Sequence, residues 1–222
     1  ILRDPRSYAR AHDLKIKNIK LAADIVFLHP MFKHGEEKLF DSKTAQRKVI
    51  LNASGLLLSP GTNALQELGE LVSYLVERGK VIHLLPHVIR EGSNDLDVLN
   101  DLFGRIDPLL VEDEKVVLHK SLKSPNEVKE LCTGADFVIT GRMHLGVIAL
   151  RNGVPAFIFE SQDKVKGLLE MFETEELLLD MNDDFVSRIK QYSLDDQLVK
   201  LRSKIRSNTS KVLNLAGSNF CE

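Results

Sequence analysis

Arg142 and His144 stand two residues apart at the one polar break in an otherwise apolar stretch, ITGRMHLGVIALRNGVPAFIF, residues 139 to 159. An arginine guanidinium is a planar fork matched to phosphate or carboxylate, and a histidine, with an ordinary pKa of about 6.5, suits proton transfer near neutrality. Gly141 just before them lets a ligand approach the backbone. If the break is where a strand ends and a helix begins, the first amides of that helix lack internal acceptors and its dipole favours an anion. The spacing then describes an anion site with an acid or base beside it. A second reading stands next to it: Arg142 pairs with a nearby carboxylate and His144 hydrogen-bonds a backbone carbonyl as a structural cap.

The surrounding pattern puts the break where the first reading needs it. Strands are predicted at 48–53, 80–85, 115–119, 136–140 and 155–159, and helices at 63–78, 95–105, 125–132 and 143–151. The helix after the first strand carries Leu65, Leu68, Leu71, Val72 and Leu75 at helical spacing and stops at Gly79. Ser124-Pro125-Asn126-Glu127 is a capping box with proline at the first helical position, and Asn152-Gly153 is a helix stop. Strands that are apolar throughout belong to a parallel sheet covered on both faces, so the fold class is α/β, a doubly wound parallel sheet. In such sheets ligands bind beyond the carboxyl ends of the strands. By topology the same edge receives Asn52, Ser54 and Gly55 after the first strand, Pro86 and His87 after the second, and Ser121 and Lys123 after the third. Asn52 and Ser54 could equally be turn or cap residues, and His87 a solvated loop histidine.

Ahead of this unit, Asp4-Pro5 opens a short helix, Ile19 and Leu21 to Leu28 read as a short buried strand, and residues 29–47 read as a loop or linker. A boundary there divides the chain into 1–47, the end of a preceding domain plus linker; 48–192, the Rossmann-like unit; and 193–222, an amphipathic helix or helix pair. The start at Ile1, without Met or a signal-like segment, looks like the middle of something longer.

Composition narrows the partners. Of 222 residues 43% are hydrophobic and 28% charged, and no tract of 18 or more apolar residues offers a membrane span. A net charge of -2 argues against nucleic acid as a main partner. Two cysteines, Cys132 and Cys221, offer no disulfide framework or metal spacing, and no H-x-x-x-H pair or acidic cluster suggests a bound metal. A reduced, cytosolic setting is the default. His12, His29, His34, His83 and His119 are expected to be structural or exposed.

Taken together, residues 137 to 168, FVITGRMHLGVIALRNGVPAFIFESQDKVKGL, resemble the polysaccharide pyruvyl transferase family. The family signature is a strand, Gly/Ser-Arg-Leu-His, a helix of small and apolar residues, Gly-Val-Pro, a strand, and a lysine-containing loop before a further helix. Arg142, His144, Gly153-Val154-Pro155 and Lys164 occupy the matching positions. LRDPRSYA resembles the family's Arg-Asp-x-x-Ser element through Arg3, Asp4 and Ser7; AADIVFL matches another through Asp24; VILNASGLL matches Asn-x-Ser-x-Leu-Leu through Asn52 and Ser54. Met143 stands where the family usually has Leu, a volume-conserving change costing under about 1.5 kcal/mol.

The resemblance implies a fold like one half of a GT-B glycosyltransferase, with the chain retaining only the last elements of an N-terminal domain, as a fragment or as a shortened member. It implies phosphoenolpyruvate as donor substrate, no separate cofactor, a glycan or lipid-linked sugar as acceptor, and a pyruvate ketal as product. Arg142 with Arg3 or Lys164 would divide the donor's phosphate and carboxylate, and His144 would move the proton; Asn52, Ser54, His87 and Gly141 would complete the binding site. A cytoplasmic enzyme that such an acceptor could draw to the inner face of the membrane, and that could form a homo-oligomer, goes with that activity. Two other functions fit the same sheet edge: a GT-B glycosyltransferase using a nucleotide sugar, with Glu160 or Asp163 on the ribose, and a non-catalytic sugar- or anion-binding fragment.

Overall fold

The computed structural model describes residues 1–32, 47–55, 58, 63–160 and 163–220. Six parallel strands form one sheet in the order β3-β2-β1-β4-β5-β6. They are β1 (Lys48–Asn52), β2 (Val81–Leu84), β3 (Val116–Leu118), β4 (Ala135–Thr140), β5 (Ala156–Phe159) and β6 (Leu178–Leu179). β1, β4 and β5 are buried almost along their whole length, which is why they lack the polar alternation of a one-sided sheet.

The helices that follow β1 and β2 are α2 (Asn63–Glu77), α3 (Asp95–Gly104) and α4 (Pro108–Glu112). β3 leads to α5 (Pro125–Thr133), β4 to α6 (Met143–Arg151) and β5 to α7 (Asp163–Phe172); α8 (Phe185–Tyr192) and α9 (Asp195–Gly217) follow β6. α5 starts with the expected capping box between Ser124 and Glu127, and α2 is followed by Gly79 at φ 75°, left-handed backbone that glycine adopts without strain. The aromatic core is layered across the strands, Phe137 edge-on to Phe157 at 5.5 Å and Phe159 edge-on to Phe185 at 5.1 Å. α9 docks by a buried arginine: Arg202 Nη2 donates to the carbonyls of Ala135 and Asp136 at the start of β4.

The first 32 residues pack onto the same core. α1 (Pro5–Asp13) is capped by Asp4, whose side chain accepts from the Ser7 amide. The strand expected from 21 to 28 is not formed: Leu21 makes a single bridge to Leu2, and residues 25–28 form a 3-10 turn capped by the Asp24 side chain. One buried side chain explains the difference. Phe27 alone of the four goes fully inside, against Phe172 at 5.8 Å, while Ile25 stays 51% exposed, so a single helical turn buries what a strand would have buried. Most of the expected linker, 33–46, and most of the Gly/Ser/Pro-rich loop after β1 lie outside the described residues, as does Cys221. The tail is one long helix, α9, with the separate short α8 before it. No described helix is long and apolar enough to cross a membrane.

Two glycines in helices predict opposite effects. A Cβ on Gly167 of α7 would lie 2.6 Å from Asp4 Cβ, so Gly167→Ala should force α1 and α7 apart and cost about 1–3 kcal/mol. A Cβ on Gly69 of α2 meets nothing nearer than 3.9 Å, so Gly69→Ala should stabilise by up to about 1 kcal/mol. Urea unfolding of the two variants checks both signs.

A second expectation concerns acid. His83 Nδ1 and His119 Nε2 meet at 3.0 Å between β2 and β3. Burial first, then Lys48 and His119, lower His83 from 6.5 to about 4. A lowered folded value means the unfolded chain binds the proton first, so this stabilisation is complete above pH 6.5 and lost as pH falls towards about 4. Unfolding free energies measured across that window should fall less steeply in His83→Gln.

Candidate functional site

β1 and β4 lie side by side at the centre of the sheet, and the chain leaves them in opposite directions, β1 towards β2 and β4 towards β5. The strand order reverses there, which opens a crevice beyond their carboxyl ends. Asn52 ends β1 in register with Thr140, which ends β4. The two are joined: the Thr140 hydroxyl donates to Asn52 Oδ1 at 3.0 Å and accepts from the Arg142 amide at 2.8 Å. Asn52 Nδ2 donates to the Leu85 carbonyl at 3.0 Å and to Asp95 Oδ2 at 2.9 Å. Ser54 and Gly141 are buried in the same wall.

Asp95, the first residue of α3, has no exposed surface and collects the donors of this crevice. Its Oδ1 accepts from the Gly55 amide at 2.9 Å and from Arg142 Nη2 at 2.6 Å; its Oδ2 accepts from the His87 and Val88 amides at 3.0 and 2.9 Å. Burial alone would raise the carboxyl's pKa, but the bonds from Arg142, Asn52, Gly55 and His87 outweigh it and hold the group below its ordinary 3.8. Asp95 is not among the residues that the sequence analysis singles out, and an acidic residue at a helix start also has an ordinary explanation in the helix dipole.

Arg142 is 9% exposed, and it answers the two sequence readings in part each way. Its Nε and Nη2 edge is committed to Asp95, with Nη2 also donating to Ser93 Oγ at 2.8 Å. The planar fork expected to meet a phosphate is therefore occupied on that edge, and the physical reason is that a fully buried carboxylate needs a charged partner. Among the described residues Nη1 meets no acceptor. His144 is not the cap that the second reading required: Arg142 is the N-cap residue of α6, with no side-chain cap bond, and His144 lies exposed on the first turn. His87 is half-buried beside them, and burial lowers its pKa; Asp95 opposes this, while His144 and Arg142 add to the lowering. A neutral imidazole therefore stands next to an exposed one.

A second group gathers on another side of the α6 start. A cleft of about 210 Å³ is lined by Arg3, Asp4, Ser7, Asp24, Met143 and Lys164 over an apolar floor that includes Phe27 and Val147. The matching segments from the two ends of the family signature thus meet, although far apart in sequence. Arg3 Nη1 pairs with Asp24 Oδ2 at 3.1 Å, with the arginine side chain 58% exposed, a solvated pair that holds the side chain only weakly. Lys164, expected on a loop, lies exposed in the first turn of α7. Arg142 and His144 do not line this cleft; Met143 between them does. Glu160 is paired with Lys166 Nζ at 2.7 Å, and Asp163 opens α7. Among the described residues no group of three or more His, Cys, Asp or Glu could hold a metal ion.

The family model for polysaccharide pyruvyl transferase matches residues 1–163, which includes every strand from β1 to β5, the Asp95–Arg142 crevice and the Arg3 side of the cleft, and ends one residue before Lys164. The chain belongs to the polysaccharide pyruvyl transferase family. No curated protein matches the sequence. Solved structures similar to the chain are glycosyltransferases of the GT-B fold. A mutant of the Thermobaculum terrenum O-GlcNAc transferase is 17% identical, over 77% of this chain and 33% of its own, with a TM-score of 0.55. A mutant of S. aureus TarM in complex with fondaparinux, alpha-GlcNAc-glycerol and UDP is 14% identical, over 100% of this chain and 43% of its own, with a TM-score of 0.56. At these identities the likeness is one of fold, and the chain spans well under half the length of either protein.

Substitutions at the α6 start should separate structure from chemistry. Arg142→Ala leaves the Asp95 carboxylate buried without its ion-pair partner and should cost about 3–5 kcal/mol in urea unfolding. His144→Ala removes an exposed side chain and should stay within about 0.5 kcal/mol of the parent.

Proposed function

We propose that the protein carrying this chain transfers pyruvate from phosphoenolpyruvate to two hydroxyl groups of a sugar in a cell-surface glycan, forming a ketal. The observation that carries the reading is the position of the matched Arg142-Met143-His144: the carboxyl end of β4, at the reversal of strand order, where α6 begins. The reaction balances without a cofactor. The donor's CH2 becomes CH3 by gaining one proton, both sugar oxygens bond to the same carbon, and the C–O bond to phosphate breaks. Of the two hydroxyl protons, one ends on the new methyl group and the other on the released phosphate.

The donor carries a phosphate and a carboxylate, and the site offers separate positive features for them. Nη1 of Arg142 and the uncapped amides of the α6 start serve one anionic group, and Arg3 with Lys164 across the cleft serves the other. His144, exposed at the crevice, transfers the proton, and His87, held neutral by burial, accepts one from a sugar hydroxyl. The apolar floor of the cleft lies beside Arg3 and Lys164, whose charges stay solvated. The acceptor is a glycan or a lipid-linked sugar, met in the cytoplasm at the inner face of the membrane.

The test is release of inorganic phosphate from phosphoenolpyruvate by the full-length protein, with and without a glycan acceptor. Acceptor-dependent release is expected, with a new ketal methyl signal in the product's proton spectrum and a loss of about 10²- to 10⁴-fold in His144→Ala. No release, or unchanged turnover in His144→Ala with the fold intact, contradicts the proposal.

A further inference from the structure

We infer that Asp95 is the positioning residue of this site: it holds the Arg142 guanidinium by Nε and Nη2, leaving Nη1 as the donor nitrogen that meets no acceptor among the described residues and is turned to an anion. The inference rests on the reading that an anionic donor binds at the α6 start.

Three features separate this role from ordinary stabilisation of a core. The bonded partners come from the carboxyl-end rim of the sheet: Asn52 at the end of β1 and Gly55 after it, His87 and Val88 after β2, and Arg142 after β4. One carboxylate therefore sets the relative positions of three loops that a bound ligand would touch. The contact with Arg142 is one-sided, Nη2 to Oδ1 at 2.6 Å and Nε to Oδ1 at 3.1 Å, with Ser93 Oγ closing the same edge at 2.8 Å, so rotation of the guanidinium is blocked. And a buried ion pair is often replaceable by apolar residues without loss of stability, so what it supplies beyond stability is orientation. The seat for this arrangement is tight: a Cβ on Gly55 would lie 2.5 Å from the Asn94 carbonyl oxygen, which fixes the β1 loop against the start of α3.

The arrangement also limits what Arg142 can do. With the Asp95 charge beside it, Arg142 contributes direction more than net positive charge, and because Arg3 is likewise paired, with Asp24, attraction of the anion falls mainly to Lys164 and the α6 amides. Discrimination between anions of different shape then depends on Asp95, while bulk attraction does not.

A double-mutant cycle in the full-length protein tests this, with phosphoenolpyruvate and inorganic phosphate as probes in calorimetric titrations. Asp95→Asn should weaken phosphoenolpyruvate binding roughly 10- to 100-fold when Arg142 is present. In an Arg142→Met background the same change should shift binding by less than about twofold. Equal losses in both backgrounds, or none in either, overturn the inference. Ser93→Ala removes only the hydroxyl that meets Nη2 and keeps the test readable if Asp95→Asn does not fold; a loss of about threefold is expected, and no loss overturns the inference. If Arg142→Met abolishes measurable binding, the Arg142 Nε–H resonance reports the contact without ligand. It should exchange slowly in the parent and rapidly in Asp95→Asn, and an unchanged rate in that variant overturns the inference. A parent protein that binds inorganic phosphate through Arg142 but not phosphoenolpyruvate contradicts the pyruvyl transfer reading alone, and the cycle is then read with phosphate. A parent that binds neither anion overturns both.

Discussion

A carboxylate with no exposed surface must replace its lost water with donors, and the donors that surround Asp95 come from the carboxyl ends of β1, β2 and β4. Remove the carboxylate and the amides of Gly55, His87 and Val88, the Asn52 amide group and one edge of Arg142 lose a common acceptor together. The crevice between β1 and β4 is thus organised around a negative charge, although its inferred ligand is itself an anion. The two are compatible because Arg142 is shared: one edge satisfies the protein, and Nη1 meets no acceptor among the described residues.

This sharing explains why the α6 start is built as it is. A serine or aspartate at the N-cap would have satisfied the first amides of the helix with its own side chain. Arg142 stands at that position with no such bond, so the amides stay available and the cation sits beside them. Met143 turns instead to the cleft lined by Arg3 and Lys164, so the start of α6 borders two groups of polar side chains. Two chemically different ends of one small ligand, a phosphate and a carboxylate, suit such a divided site better than a single patch of charge.

Much of the fold was legible in the sequence because its signals were local. The Gly-Arg-Met-His break and the Asn152-Gly153 stop placed α6 at 143–151, where it lies, and the capping box placed the start of α5. Elements whose form depends on one distant contact were not legible. The turn at 25–28 exists because Phe27 reaches Phe172, and β6, with two residues, is too short to carry any period. The site shows the same divide. Arg142 and His144 were visible from residue type and spacing, but that Arg142 would be claimed by Asp95, 47 residues earlier, follows only from the packing of α3 against the crevice. In sequence Asp95 is an acid at the start of a helix, and nothing in its neighbours Asn94 and Leu96 marks it otherwise.

The position of the bound donor is the most direct test of this site. A crystal structure of the full-length protein with phosphoenolpyruvate should place one anionic group at the first turn of α6, within hydrogen-bond distance of Arg142 Nη1, with the Arg142–Asp95 contact intact and the other group between Arg3 and Lys164. Donor density away from the α6 start, or an Arg142 that leaves Asp95 to meet the ligand with its full fork, would contradict it.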